Sequence, residues 1–222
     1  MNINEKKFII NFLEDLSNNN SKEWMDQNRD RYYDVKATYL NLVQEVLNRL
    51  GQHDPMYLEV KPKETISRIN NNRRFHPEKP VYKDFFSCDP AGKTRSGALF
   101  FFLIGVSERF MGGGYWKPSK DQLENIRDAI DYNGQELKNA IQNEQFQRIY
   151  GGLGEDPDIL KTQPQNYPAD HEHVDLLRHK NFVALRTFDL EDYYSEHFLD
   201  MIEESYLAIL PFSDYLRKAA AG

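Results

Sequence analysis

The chain has 222 residues, of which 40% are hydrophobic and 28% charged, a globular mixture that excludes a disordered polymer. Its formal net charge is −7, so its mean field does not gather nucleic acid or anionic lipid, and such binding would need a local basic patch. A single cysteine, Cys88, excludes a disulfide framework and a multi-cysteine zinc site.

From the N-terminus, Phe8, Ile9, Phe12, Leu13 and Leu16 recur at helical spacing and predict a first helix capped by Asn4. Asn20 with Glu23 three residues on approximates a capping box. It opens a second helix of about 30 residues, carrying Trp24, Tyr32, Val35, Tyr39, Val43 and Leu50 and stopping at Gly51. Pro55 and Pro62 are read as excluding helix, with strand-prone pieces at 56–60 and 64–69 and a polar loop at 70–82. The runs at 98–106 and 109–116 predict two paired strands joined by a turn near Ser107. The first is apolar throughout, which suggests burial on both faces, and it is too short to span a bilayer.

Ser119 and Gln122 form a second capping box, ahead of the stripe Leu123, Ile126 and Ile130. Asn133-Gly134 reads as a break, and helical spacing then continues to Gly151-Gly152. After a proline-rich stretch, Asp170 is expected to cap a short helix ending at Leu177, and 181–189 reads as a strand. A final amphipathic helix carries Leu190, Tyr194, Phe198, Met201, Ser205 and Ile209 and is interrupted at Pro211. Helices, then strands, then helices with one late strand indicate α+β rather than alternating βαβ. The expectation is one domain over residues 1–222, a mainly antiparallel sheet packed by long N-terminal and C-terminal helices.

The chemistry concentrates in "RINNNRRFHPEKPVYK", residues 68–83. Residues 61–83 hold seven Lys/Arg and two acids, +5 locally, which leaves −12 for the rest. Arginine suits bidentate capture of phosphate or carboxylate. Arg68 and Arg74 are therefore expected to grip an anion, with Lys79 and Lys83 adding charge. Tyr82 or Trp116 would cover a ring or apolar portion, and Arg127 would point either toward the same ligand or only at solvent. The competing reading uses the final helix, where seven acids and no Lys or Arg fall in 189–204. Those carboxylates would pair with the basic loop, at about 0–1 kcal/mol per exposed pair, or both surfaces would dock a protein partner. Nucleic acid is disfavoured at pI 5.4, although the local patch with Tyr82 and Trp116 keeps it in view.

Other constellations carry less. The glycine run at 112–114 lies ahead of a capped helix but lacks phosphate-loop spacing, so a bulge or tight bend is favoured over a phosphate cradle. Trp116 beside it is read as core in preference to a stacking platform. His171 and His173 form an H-x-H pair with no well-spaced third ligand, so no metal site is expected. Cys88 is read as a packed thiol. No cofactor and no catalytic set is indicated. With no signal peptide visible, the expectation is a cytoplasmic protein with no membrane partner; the oligomeric state is not set by the sequence.

Four segments occur in a fixed order: "FLEDLSNNNSKEWMDQNRDRY", "RINNNRRFHPEKPVYK", "GGGYW" followed by "LENIR", and "LKTQPQNYPADHEHVDLLRHKNF". Their order and spacing resemble the widespread microbial family catalogued as domain of unknown function 2461, over residues 8–209. The second motif is the most specific, and Arg68, Ile69, Arg74, Phe75, Lys79, Tyr82 and Lys83 match it. Family members usually carry an acid where this chain has Asn70, Asn71 and Asn72, and proline directly before the tyrosine where it has Val81. The resemblance implies a single α+β domain and no particular activity. It also implies that the basic segment, the GGGYW stretch and Arg127 belong to one candidate site.

Overall fold

The computed structural model describes residues 1–92 and 100–222. Its architecture is α+β: four strands, β1 (Phe85–Cys88), β2 (Phe100–Gly105), β3 (Arg109–Tyr115) and β4 (Phe182–Thr187), form one antiparallel sheet in the order β1-β2-β3-β4. In the first pair Phe86 lies opposite Ile104 and Cys88 opposite Phe102. The run expected as a strand over 98–106 begins at Phe100 among the described residues; residues 98 and 99 lie outside them.

The chain's internal contacts divide it into two compact units. The first comprises the stretch from Met1 through β1, with Phe101–Met111 and Thr187–Glu204. It opens with α1 (Ile3–Asn18), α2 (Lys22–Gln27) and α3 (Arg29–Leu50). The cap of α1 is Asn2, two residues earlier than Asn4: its side chain accepts from the Asn4 and Glu5 amides while Glu5 reaches back, a full capping box. The expected 30-residue helix is interrupted at Asn28 (φ −109°, ψ 21°), whose amide side chain donates to the Trp24 carbonyl. α1 packs on α3, and Ile9, Phe12, Leu13, Leu16, Val35, Tyr39 and Val46 are fully buried. Tyr39 carries this helical layer onto the sheet by stacking on Phe86, ring centroids 4.9 Å apart.

The strand-prone pieces near the prolines are not strands. Pro55–Glu59 forms a 3-10 turn capped by Asp54, and Pro62–Thr65 forms α4. Both prolines occupy the start of their helix, where the missing N–H has no intrahelical partner in any case and the fixed φ already suits a helix. Of the second piece, only Ile66 joins the ladder, through an isolated bridge to Cys88.

The second unit comprises Phe100, Gly112–Arg186 and Ser205–Gly222. Ser119 and Gln122 make the expected capping box of α5 (Lys120–Gln142), and the break appears as a kink at Asn133 (φ −153°, ψ 61°) within it. Asn143 caps α6 (Glu144–Tyr150), which ends on Gly151 in the left-handed region (φ 70°). The short α7 (Val174–Leu177) starts after His173, not Asp170. The final amphipathic stretch is two helices, α8 (Leu190–Tyr194) in the first unit and α9 (Phe198–Ala221), separated where Ser195 turns extended (ψ 147°). Pro211 does not interrupt α9; Phe212 and Leu216 beyond it are fully buried, and that burial offsets the lost hydrogen bond.

The glycine run lies inside β3. A Cβ on Gly112 or Gly114 would overlap the Ala184 or Phe182 carbonyl oxygen of β4. These glycines permit close strand approach, which accounts for them without a phosphate.

Candidate anion-binding cleft

The basic segment folds as a hairpin arm within the first unit. Asn70 faces Tyr82 across an isolated antiparallel bridge, the Lys83 amide donates to the Ile69 carbonyl at 2.8 Å, and the Asn71 amide to Val81 at 3.1 Å. Asn20 clamps this arm from the α1–α2 connection. Its side chain donates to the Tyr82 carbonyl at 3.0 Å and accepts from the Tyr82 amide at 2.9 Å. The tip is braced internally. The His76 amide donates to Asn72 at 3.1 Å, the Lys79 amide to His76 at 3.2 Å and the Asn71 side chain to Pro80 at 3.0 Å.

At the base of this arm lies a cleft of about 580 Å³, lined among others by Lys36 of α3, Lys63 and Glu64 of α4, and Ser67, Arg68 and Asn70 of the arm. Three cations thus share a concavity with one carboxylate. Among the described residues Lys36, Lys63 and Arg68 form no ion pair.

The other expected site residues distribute differently. Arg74 and Lys79 are exposed on the tip, with the Arg74 guanidinium 5.7 Å from the centre of the Phe75 ring. Lys83 is half-buried, donates to Ser67 Oγ at 3.1 Å and lies over the Phe85 ring. Burial, then the neighbouring Lys79 charge, lowers its pKa. Tyr82 is 4% exposed, so its side chain belongs to the core and does not cover a ligand. Trp116, in the second unit, is not core as favoured from the sequence: it is 56% exposed, with Lys117 Nζ 5.8 Å from its ring centre. Arg127, also in the second unit, donates to the Leu177 and His179 carbonyls at 3.1 and 3.3 Å, tying off the end of α7, and burial lowers its pKa. Of the seven expected residues, Arg68 alone lines the cleft. Lys63 lies in the segment whose charge signals the site; Lys36 carries no local signal, because only folding brings α3 alongside α4.

The acidic helix is engaged elsewhere. Arg49 pairs with Asp200 at 3.0 Å and Glu203 at 2.7 Å, and His53 lies 2.6 Å from Glu203. The hydrogen bond to His53, with Arg49, lowers the Glu203 pKa. Asp189 caps α8 by accepting from the Asp192 amide. Cys88 is buried beside the Thr65 hydroxyl, and burial raises its thiol pKa, as befits a packed thiol. His171 pairs with Asp131 at 2.9 Å, and among the described residues no cluster of three His, Cys, Asp or Glu could hold a metal.

A second cavity, about 500 Å³, lies in the second unit between α5 and α9, with Asp128, Glu136, Tyr132, Tyr215 and Lys218 in its wall. Two carboxylates against one ammonium make it unsuited to anions. Burial, and the nearby Glu136, push the Tyr215 phenol up to about 12, so it stays neutral.

No curated protein and no solved structure matches the chain. The family model described as conserved hypothetical protein (DUF2461) matches residues 9–215, a span that takes in the hairpin arm, α3 and α4 around the cleft and the whole sheet. The chain belongs to the DUF2461 family.

Proposed function

We propose that the protein binds a small phosphate- or carboxylate-bearing molecule in the cleft of Lys36, Lys63 and Arg68. The observation that carries this reading is three cations lining one concavity without an ion pair to any described carboxylate. Grouped like charges repel; an entering anion relieves that repulsion, and Arg68 can offer a bidentate fork. Ser67 and Asn70 add polar groups at the wall, and about 580 Å³ falls in the range of small-molecule sites. The acidic face of α8 and α9 supports the same reading, since Asp200 and Glu203 are engaged by Arg49 and His53. Among the described residues no helix is long and apolar enough to cross a membrane, and with one buried thiol we read the protein as cytoplasmic.

Calorimetry with inorganic phosphate, adenosine monophosphate and succinate at 50 and 300 mM NaCl tests the proposal. Binding that weakens with salt and falls at least tenfold in both Arg68→Ala and Lys63→Met is expected. No heat with any of the three, or variants that bind like wild type, would overturn it.

A further inference from the structure

Resting on the anion reading of that cleft, we infer that the phosphate-bearing ligands it takes extend to single-stranded nucleic acid: the cleft takes backbone phosphates, and Phe75 on the hairpin tip takes a base. Phe75 is 70% exposed, on a tip held by its own hydrogen bonds and two prolines. A braced tip that keeps a large apolar ring in water is pre-organised for a partner, because little ordering remains to be done on binding. One ring face carries the Arg74 guanidinium, and the opposite face has no aromatic partner among the described residues. Arginine on one face and a base on the other combines cation–π attraction with stacking.

The flanking groups on the tip are cationic. Arg73 and Arg74 precede Phe75, Lys79 follows, and none of the three forms an ion pair with a described residue; Arg73 donates to the Pro77 carbonyl at 3.4 Å. Glu78, the acid on the tip, lies 3.5 Å from His76. On α3, Tyr33 is 57% exposed, its ring 5.5 Å from that of Tyr32, which lines the cleft. Exposed rings together with cations that form no ion pair suit a chain of stackable faces joined by phosphates. A duplex hides those faces, which selects the single-stranded form. The net charge of −7 does not oppose this at contact range, since screening over about 8–10 Å leaves the local patch to decide.

The experiment is fluorescence anisotropy of the full chain with labelled dT15 and rU15, run beside phosphate calorimetry and titration of a labelled polyglutamate peptide. With about four phosphates engaged, affinity should fall roughly fifty-fold between 50 and 200 mM NaCl. Phe75→Ala, a change on an exposed tip, should weaken oligonucleotide binding about five- to hundred-fold and leave phosphate binding at the cleft unchanged. Arg68→Ala should weaken both. Phosphate binding with no oligonucleotide signal overturns this inference and leaves the cleft reading standing; absence of both overturns the two together. Phe75→Ala binding oligonucleotides like wild type, or polyglutamate binding as tightly as dT15, also overturns it, the latter in favour of an acidic protein partner.

Discussion

Asn20 clamps the hairpin arm through two hydrogen bonds to the backbone of a residue 62 positions away. Asn20→Ala strands the Tyr82 amide and carbonyl in a part-buried place, a cost of about 1–3 kcal/mol by urea unfolding. Asn20→Asp keeps the acceptor for the Tyr82 amide and loses only the donor, so it should fall between wild type and alanine. A second fixed point is Asp156, whose side chain is 1% exposed. Burial alone would raise its pKa, but bonds from the Asn181 side chain and from the Asn181, Lys180 and Asp158 amides lower it. A carboxyl depressed in the folded state contributes stability above its unfolded value, near 3.9, and loses it as pH falls through the folded value. The pKa of nearby His179 is lowered too, by burial and partly offset by Asp156, which for a base disfavours the charged form. The unfolded chain therefore takes up the His179 proton first, and stability declines as pH drops below about 6.5. Asp156→Asn should flatten the acid limb of a melting profile and shift the His179 NMR titration to still lower pH.

Among the elements, β3 is the least tolerant. Gly112→Ala drives a methyl into the Ala184 carbonyl, so loss of the folded state, or more than about 4 kcal/mol, is expected in a chemical denaturation. At the start of α5, Ser119→Ala removes half of a capping box and should cost about 1 kcal/mol. That box was readable in the sequence because it is local: hydroxyl, amide and periodic apolar stripe lie within one turn. For the same reason the α+β order and the cores of α1 and α5 were readable. Pro55 and Pro62 misled because a proline's effect reverses between the first helical position and the interior, and the sequence does not mark which applies. Pro211 misled in the other direction, since tertiary burial of Phe212 and Leu216 outweighs a local penalty. The candidate site was half legible for the same cause. Charge density located the arm carrying Arg68, but Lys36 and Asn20 reach it only through folding, and Arg127 is engaged by α7 carbonyls far along the chain.

Across the whole molecule the charge is unevenly divided, +5 in residues 61–83 against −7 overall. Raising salt should therefore weaken anion capture at the arm while leaving folding, which rests on the apolar core, little changed. The lone sulfhydryl is well separated from solvent: Cys88 ends β1 with its side chain buried and its pKa raised by that burial. Ellman's reagent should titrate no thiol in the native protein and one in 6 M guanidinium. To maleimide chemistry the folded chain is thus a blank canvas. One new cysteine on the hairpin tip, as in Arg73→Cys, would carry a fluorophore or spin label with no competing attachment point, and the native protein becomes its own reporter of what arrives there.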